Sequence, residues 1–293
     1  MNHNSLLNFT FSNQSIMSHQ AFIEQLFLHN SKAFTAFPDK ESAERFIDQL
    51  FDFLFLPKSV KNKQPADLEK EFESLKSHFS RLVYDVLCDK EKAQNVTDTF
   101  FEAIPGIYHK LVKDAEAILQ FDPAAESLEE VLVAYPGFYA TAVYRLSHQM
   151  HIQGVKIIPR IFTECAHSKT GIDIHPGAVI GEPFFIDHGT GIVIGETAEI
   201  GNNVKIYQGV TLGALNVSKG KANAKRHPTI DDNVIIYSGA TILGGDTVIG
   251  HDSVIGGNVW LTYSVLPNSI IYHKSEVAIK DKYPATEALN FVI

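Results

Sequence analysis

Between Ile174 and Ile270 the apolar residues recur at every sixth position. Ile174, Ile180, Ile186 and Ile192 begin the count, and Ala198, Val204 and Val210 continue it. It resumes at Ile230 and runs through Ile236, Ile242, Val248, Val254, Trp260 and Leu266. Glycine stands close to many of these positions, as in Ile180-Gly181, Ile200-Gly201 and Ile249-Gly250. Neither a helix nor a simple strand has this period. A period of six predicts a hexapeptide left-handed parallel β-helix, in which three short strands and three turns make one coil. Each apolar residue then stacks on its equivalent one coil away, and the glycines permit tight turns. Residues 214–225 carry no repeat and predict a loop extruded from the prism. Long loops on rigid scaffolds often carry function.

Ahead of the coil the pattern is helical. Phe22, Ile23, Leu26 and Phe27 form one apolar face, and Phe46, Ile47, Leu50, Phe51 and Leu54 a second. Leu68, Phe72, Leu75, Phe79, Leu82 and Val83 form a third. Asp89 or Asn95 is expected to cap the next helix, and Pro105-Gly106 to kink or divide it. Shorter helices are expected from Glu126 to Val133 and after Pro136-Gly137, followed by an extended, β-branched stretch through Val155, Ile157 and Ile158. The expected organisation is a mobile leader (1–18), a helical domain (19–154), a left-handed β-helix (155–274) and a C-terminal tail (275–293). The fold class is therefore α+β, an N-terminal α-helical domain followed by a C-terminal left-handed parallel β-helix with one extruded loop.

Composition narrows the function classes. A formal net charge of -9 argues against a nucleic-acid footprint. Two cysteines, Cys88 and Cys165, in so long a chain point to a reducing compartment rather than a disulfide framework. The first residues lack a signal-peptide pattern, and no apolar run reaches membrane-spanning length. The expectation is a soluble cytoplasmic protein with neither nucleic acid nor membrane as partner.

Three polar sets interrupt the coil: Asp173 with His175, Asp187 with His188, and Arg226 with His227. A hexapeptide turn favours small residues, so an imidazole beside a carboxylate needs another reason. One reading is a metal site of His175, His188 and His227, but no tight His-x-His or His-x-x-x-His pair exists, and no metal is expected. Acid–base chemistry fits better. An imidazole takes a proton near neutral pH when a second group holds its tautomer. Asp173 lies close to one coil before His188, which makes an Asp–His dyad geometrically reasonable. Lys219, Lys221, Lys225 and Arg226 form a small basic cluster in the loop that could meet an anionic small molecule.

The motifs are more specific than the repeat. Asp173-Ile174-His175-Pro176, the string from Asp187-His188-Gly189-Thr190-Gly191 to Gly195-Glu196-Thr197-Ala198, Gln208-Gly209-Val210-Thr211-Leu212-Gly213 and Arg226-His227-Pro228 closely resemble the serine O-acetyltransferase family. Asp122-Pro123-Ala124 and Tyr144-Arg145-Leu146-Ser147-His148 extend the resemblance to roughly residues 118–270. It implies acetyl transfer from acetyl-CoA to the hydroxyl of L-serine, as a step of cysteine biosynthesis. His188 would be the general base and Asp173 its orienting partner; if a His188 variant kept its turnover, the role would pass to His227. Asp122, Asp187, Arg226 and His227 would form the serine pocket. A zwitterion needs carboxylates at its ammonium and a guanidinium at its carboxylate. Direct attack is preferred to an acyl-enzyme, since no serine or cysteine has an evident activating partner. Gly213, Ala214 and Ser238 would contact the pantetheine arm.

The resemblance further implies a site between subunits of a trimer, hexamer formation through the helical domain, feedback inhibition by L-cysteine, and docking of the C-terminal Ile293 into O-acetylserine sulfhydrylase. The chain departs from the pattern at Ala214, where the family has a second glycine, and at Tyr272-His273-Lys274-Ser275, where it has Gly-x-Pro-Ala. Two other readings remain: acetyl transfer to another small acceptor such as homoserine or an amino sugar, and a regulatory scaffold for the sulfhydrylase.

Overall fold

The computed structural model describes residues 18–33, 37–56, 63–215 and 224–274. Among these residues seven helices come first: α1 (His19–Ala33), α2 (Lys40–Phe55), α3 (Pro65–Leu87), α4 (Lys90–Phe121), α5 (Leu128–Ala134), α6 (Pro136–Ile152) and α7 (Ile158–Thr170). Local chemistry sets their ends. Asp39, Asp89 and Ser127 cap α2, α4 and α5 by accepting backbone N–H groups, and Pro65 and Pro136 stand in first turns that need no N–H there. The helical core is largely aromatic. Phe79 stacks on Phe100 at 4.4 Å, and Phe46 bridges Phe79 and Phe162. By contrast α1 exposes its apolar face, with Phe27 70% accessible.

Two expectations about the helices are corrected. Pro105 neither divides nor ends α4, which runs unbroken for 32 residues. Buried anchors stand on both sides of it, Phe100, Phe101 and Ile104 before and Ile107 and Leu111 after, and their packing outweighs the lost backbone hydrogen bond. Ile158, read with Val155 and Ile157 as an extended stretch leading into the coil, instead opens α7. Ile158, Phe162, Cys165 and Ala166 recur at helical spacing and are buried, Pro159 stands in the first turn, and Gly171 closes the helix at φ 70°.

The second half is the prism. Among the described residues fourteen short strands follow: β1 (Asp173–Ile174), β2 (Val179–Ile180), β3 (Phe184–Asp187), β4 (Val193–Ile194), β5 (Glu199–Ile200), β6 (Val204–Tyr207), β7 (Thr211–Gly213), β8 (Thr229–Ile230), β9 (Ile235–Ile236), β10 (Thr241–Leu243), β11 (Val248–Ile249), β12 (Val254–Ile255), β13 (Trp260–Leu261) and β14 (Ile270–Ile271), on three faces in the orders β1-β4-β7-β10-β13, β2-β5-β8-β11 and β3-β6-β9-β12-β14. Every pairing is parallel. We call these the first, second and third face. The turns place Asn203, Asn233, Asp252, Asn258 and Asn268 at positive φ, where short polar side chains are tolerated. Two inward sets alternate along each strand, such as Ile172 and Ile174, then Ile192 and Ile194, and all four are buried.

Register shows where the six-count slips. Ile174 pairs with Ile194 twenty residues on, whereas Ile194 pairs with Leu212 eighteen on. The two additional residues fall in the turn that carries His188. A second slip follows Ile242, which pairs with Leu261 rather than Trp260. Gly244, at φ 106°, takes up one extra residue in that turn. The inward set is therefore Ile249, Ile255 and Leu261, while Trp260 and Leu266 of the count face outward, 67% and 80% accessible.

Helices and prism meet at a buried ion pair. Arg145 on α6 clasps Asp114 on α4 at 2.6 and 2.9 Å. Its guanidinium also donates to the carbonyls of Ile180 and Gly181, and Asp114 accepts the N–H of Phe184. Removing one partner of a buried pair leaves the other charge uncompensated. Arg145→Met is expected to cost about 3–5 kcal/mol, read from the urea midpoint of the helical circular-dichroism signal. An unchanged midpoint contradicts this assignment.

Candidate active site

The polar residues singled out in the sequence, Asp173 apart, gather on two edges of the prism. The first edge joins the third face to the first, at the turn between β3 (Phe184–Asp187) and β4 (Val193–Ile194). Here His188 stands exposed at φ 57°. A residue as bulky as histidine in this conformation costs about 1–2 kcal/mol, and strain of this kind gathers at functional sites. Its Nδ1 lies 3.5 Å from a carboxylate oxygen of Asp187. Asp122, at the end of α4, completes the group. It accepts the Tyr135 hydroxyl at 2.7 Å and the N–H of Ala124 at 2.8 Å. The bond to Asp122 pushes the Tyr135 phenol up to about 12. Burial raises the Asp187 carboxyl above its ordinary range, and the negative charge of Asp122 adds to it. Two carboxylates so placed favour a cation between them. Strand pairing stacks Tyr207 under Asp187, with Tyr237 against Tyr207 at 5.0 Å. Ser238 lies farther along the same edge, beyond Gln208.

The second edge joins the first face to the second, where the extruded loop returns. Arg226 pairs with Glu196 and His227 with Thr197. The His227 ring lies over Gly195, whose missing Cβ would fall 2.0 Å from it, so no other residue fits there. Burial and then the Arg226 charge drive the His227 imidazole down to about 4. Burial raises Glu196, but its hydrogen bond from Arg226 and the nearby His175 outweigh it, leaving the carboxyl below its usual range. Gly213 and Ala214 stand on this edge, Gly213 accepting the N–H of Gly244 at 3.0 Å.

The residues singled out in the sequence are thus divided by one prism face. Asp122, Asp187, His188 and Ser238 share the first edge; Arg226, His227, Gly213 and Ala214 share the second. Among the described residues no hydrogen bond joins the two groups. Asp173 stands half-buried on the intervening face and interacts with Arg160 at 3.3 Å rather than with His188. His175 lies near His227 on the second edge, so the three histidines of the metal reading do not converge within one chain. Among the described residues, Glu164, His167 and Asp173 alone bring possible metal ligands together, and Arg160 already pairs with both carboxylates. Lys219, Lys221 and Ile293 lie outside the described residues. Sequence reasoning missed Tyr135, Glu196, Thr197 and Tyr207 as parts of these groups. Glu196 and Thr197 carried a signal, since both belong to the string that follows His188.

Comparison with known proteins supplies the family. No protein-family model matches the chain. A plasmid-encoded serine acetyltransferase of Synechococcus elongatus is 50% identical over 186 residues, which cover 62% of this chain and 58% of that protein's length. The crystal structure of serine acetyltransferase from Neisseria gonorrhoeae in complex with serine is 26% identical with a TM-score of 0.58, and the match covers 83% of this chain and 98% of that one. Serine acetyltransferase 1 of Entamoeba histolytica, in complex with L-cysteine, is 34% identical with a TM-score of 0.71, and the match covers 85% of this chain and 94% of that one. On this evidence the chain belongs to the serine acetyltransferase family.

Proposed function

We propose that this protein transfers the acetyl group of acetyl-CoA to the hydroxyl of L-serine, at a site that two copies of the chain build together. One observation carries the reading: the groups for serine's three functions stand on two edges of one prism. Asp122 and Asp187 suit the ammonium, His188 the hydroxyl, and Arg226 with His227 the carboxylate. A cyclic trimer brings the first edge of one prism against the second edge of the next. Ser238 of one copy and Gly213 and Ala214 of the other then flank a channel for the pantetheine arm. The solved relatives with serine or cysteine bound support the choice of amino acid. Cysteine differs from serine in one atom, so it competes for the same pocket.

His188 acts as the base. It removes the hydroxyl proton as the oxygen attacks the thioester carbonyl; the C–S bond then breaks, and the imidazolium returns the proton to the CoA thiolate. Asp173 orients His188 once substrate is present, which requires it to leave Arg160. The exposed apolar face of α1 supports further association of trimers.

Thiol release from acetyl-CoA across a panel of amino acids tests the activity. Serine-dependent release that exceeds release with homoserine or amino sugars is expected. Absence of serine-dependent release overturns the reading, and a preference for homoserine favours the other acceptor.

A further inference from the structure

Thr197 holds the returning end of the extruded loop with an unusual density of contacts. Its hydroxyl oxygen accepts the N–H of Arg226 at 2.9 Å and the N–H of His227 at 3.1 Å. Its backbone N–H donates to Nδ1 of His227 at 3.0 Å, and its carbonyl accepts from the Lys225 ammonium at 3.0 Å. The Thr197 hydroxyl also lies 2.9 Å from His227 Nδ1.

These contacts decide where the imidazole proton sits. A hydroxyl oxygen has two lone pairs and one hydrogen. Both lone pairs of Thr197 are taken by backbone N–H groups, so its hydrogen points to His227 Nδ1. The backbone N–H of Thr197 points to the same nitrogen. Two donors converge on Nδ1, and a proton there would meet both of them.

We propose that Thr197 is a positioning residue that fixes His227 as the neutral Nε2–H tautomer, so that His227 serves the site only as a hydrogen-bond donor. Nε2 has no protein partner among the described residues and is the ring atom left for a ligand. The low proton affinity of the ring agrees: burial and Arg226 disfavour the imidazolium, with His175 and Lys225 adding to this and Glu196 opposing it. A donor with no charge suits a carboxylate oxygen, and it cannot exchange roles with the base on the other edge. His227 therefore does not replace His188 when that residue is removed. The inference rests on the acetyltransfer reading only for the atom that Nε2 meets; the tautomer itself needs no substrate.

Two-bond proton–nitrogen spectra of the full-length protein, labelled with 15N at histidine, test it directly. A His227→Gln sample identifies the resonance. At pH 7 the wild-type protein should show a pyridine-type Nδ1 and a pyrrole-type Nε2 for His227. Thr197→Ser should keep that signature. Thr197→Val removes the hydroxyl donor and leaves the backbone N–H as the one donor at Nδ1, so an Nδ1–H population should appear beside the Nε2–H one, with the KM for serine raised about tenfold and a smaller change in kcat. A proton on Nδ1 in the wild-type protein overturns the proposal whatever the variants do, and an unaltered signature in folded Thr197→Val overturns the Thr197 hydroxyl as its cause. An Nε2–H signature without serine-dependent CoA release leaves the tautomer standing and sinks the acetyltransfer reading alone.

Discussion

His188→Ala is expected to lower kcat by about 10²–10⁴-fold, the span that a general base supplies. Three features point to this residue. It sits in a turn lengthened by two residues relative to the next coil, it adopts a positive-φ conformation uncommon outside glycine, and it stands 3.5 Å from a carboxylate that burial and Asp122 hold at raised proton affinity. A surface imidazole without a role would be replaceable by asparagine, which occupies several other positive-φ turns of the prism. His188→Asn separates the two possibilities. It restores the turn without restoring a base, so it should fold as the wild type does while kcat stays depressed. Steady-state kinetics with both substrates saturating measures this. Near-normal turnover in either variant removes His188 from the chemistry.

Arg226→Ala is expected to raise the KM for serine about 10²-fold or more, since truncating one side of a desolvated charge pair costs about 2–5 kcal/mol. Arg226 is partly buried and oriented by Glu196, so its guanidinium is fixed before any substrate arrives. Preorganisation of this kind is lost with lysine, whose single ammonium cannot make the planar two-point contact. Arg226→Lys should recover only a small part of the loss. The effect belongs mainly on KM, because the carboxylate changes little between bound serine and the transition state. A loss confined to kcat places Arg226 at the reacting carbonyl instead.

Much of the fold was legible because the coil repeats itself. The six-residue period predicted the prism and the break after Val210. It failed at two turns, because counting cannot distinguish two inward sets that lie two residues apart. At the turn after Asp187 the count passed from Ile186 to Ile192, although the residue that continues the inward set of Ile174 and Ile186 is Ile194, and at Gly244 one further residue turned Trp260 outward. Helix α7 was hidden by its first residues, whose β-branched side chains suggest strand until the spacing of Phe162, Cys165 and Ala166 is weighed. The site was partly legible. The string around His188 and the Arg226-His227 pair stand out because bulky polar residues break a small-residue turn. Their supports did not stand out, since Thr197 and Glu196 reach Arg226 and His227 across thirty residues of sequence, and Tyr135 reaches Asp122 across thirteen.

The division of the site between two prism edges makes a sharp demand. Chains carrying His188→Ala spoil one edge, and chains carrying Arg226→Ala spoil the other. If each site takes one edge from each of two neighbouring copies in a cyclic trimer, every mixed trimer regains one intact site. Equal mixing by co-expression should then restore about one quarter of wild-type activity, although each variant alone is nearly inactive. Activity no greater than the mean of the two separate variants, from samples shown by mass spectrometry to contain mixed oligomers, would contradict a site shared between chains.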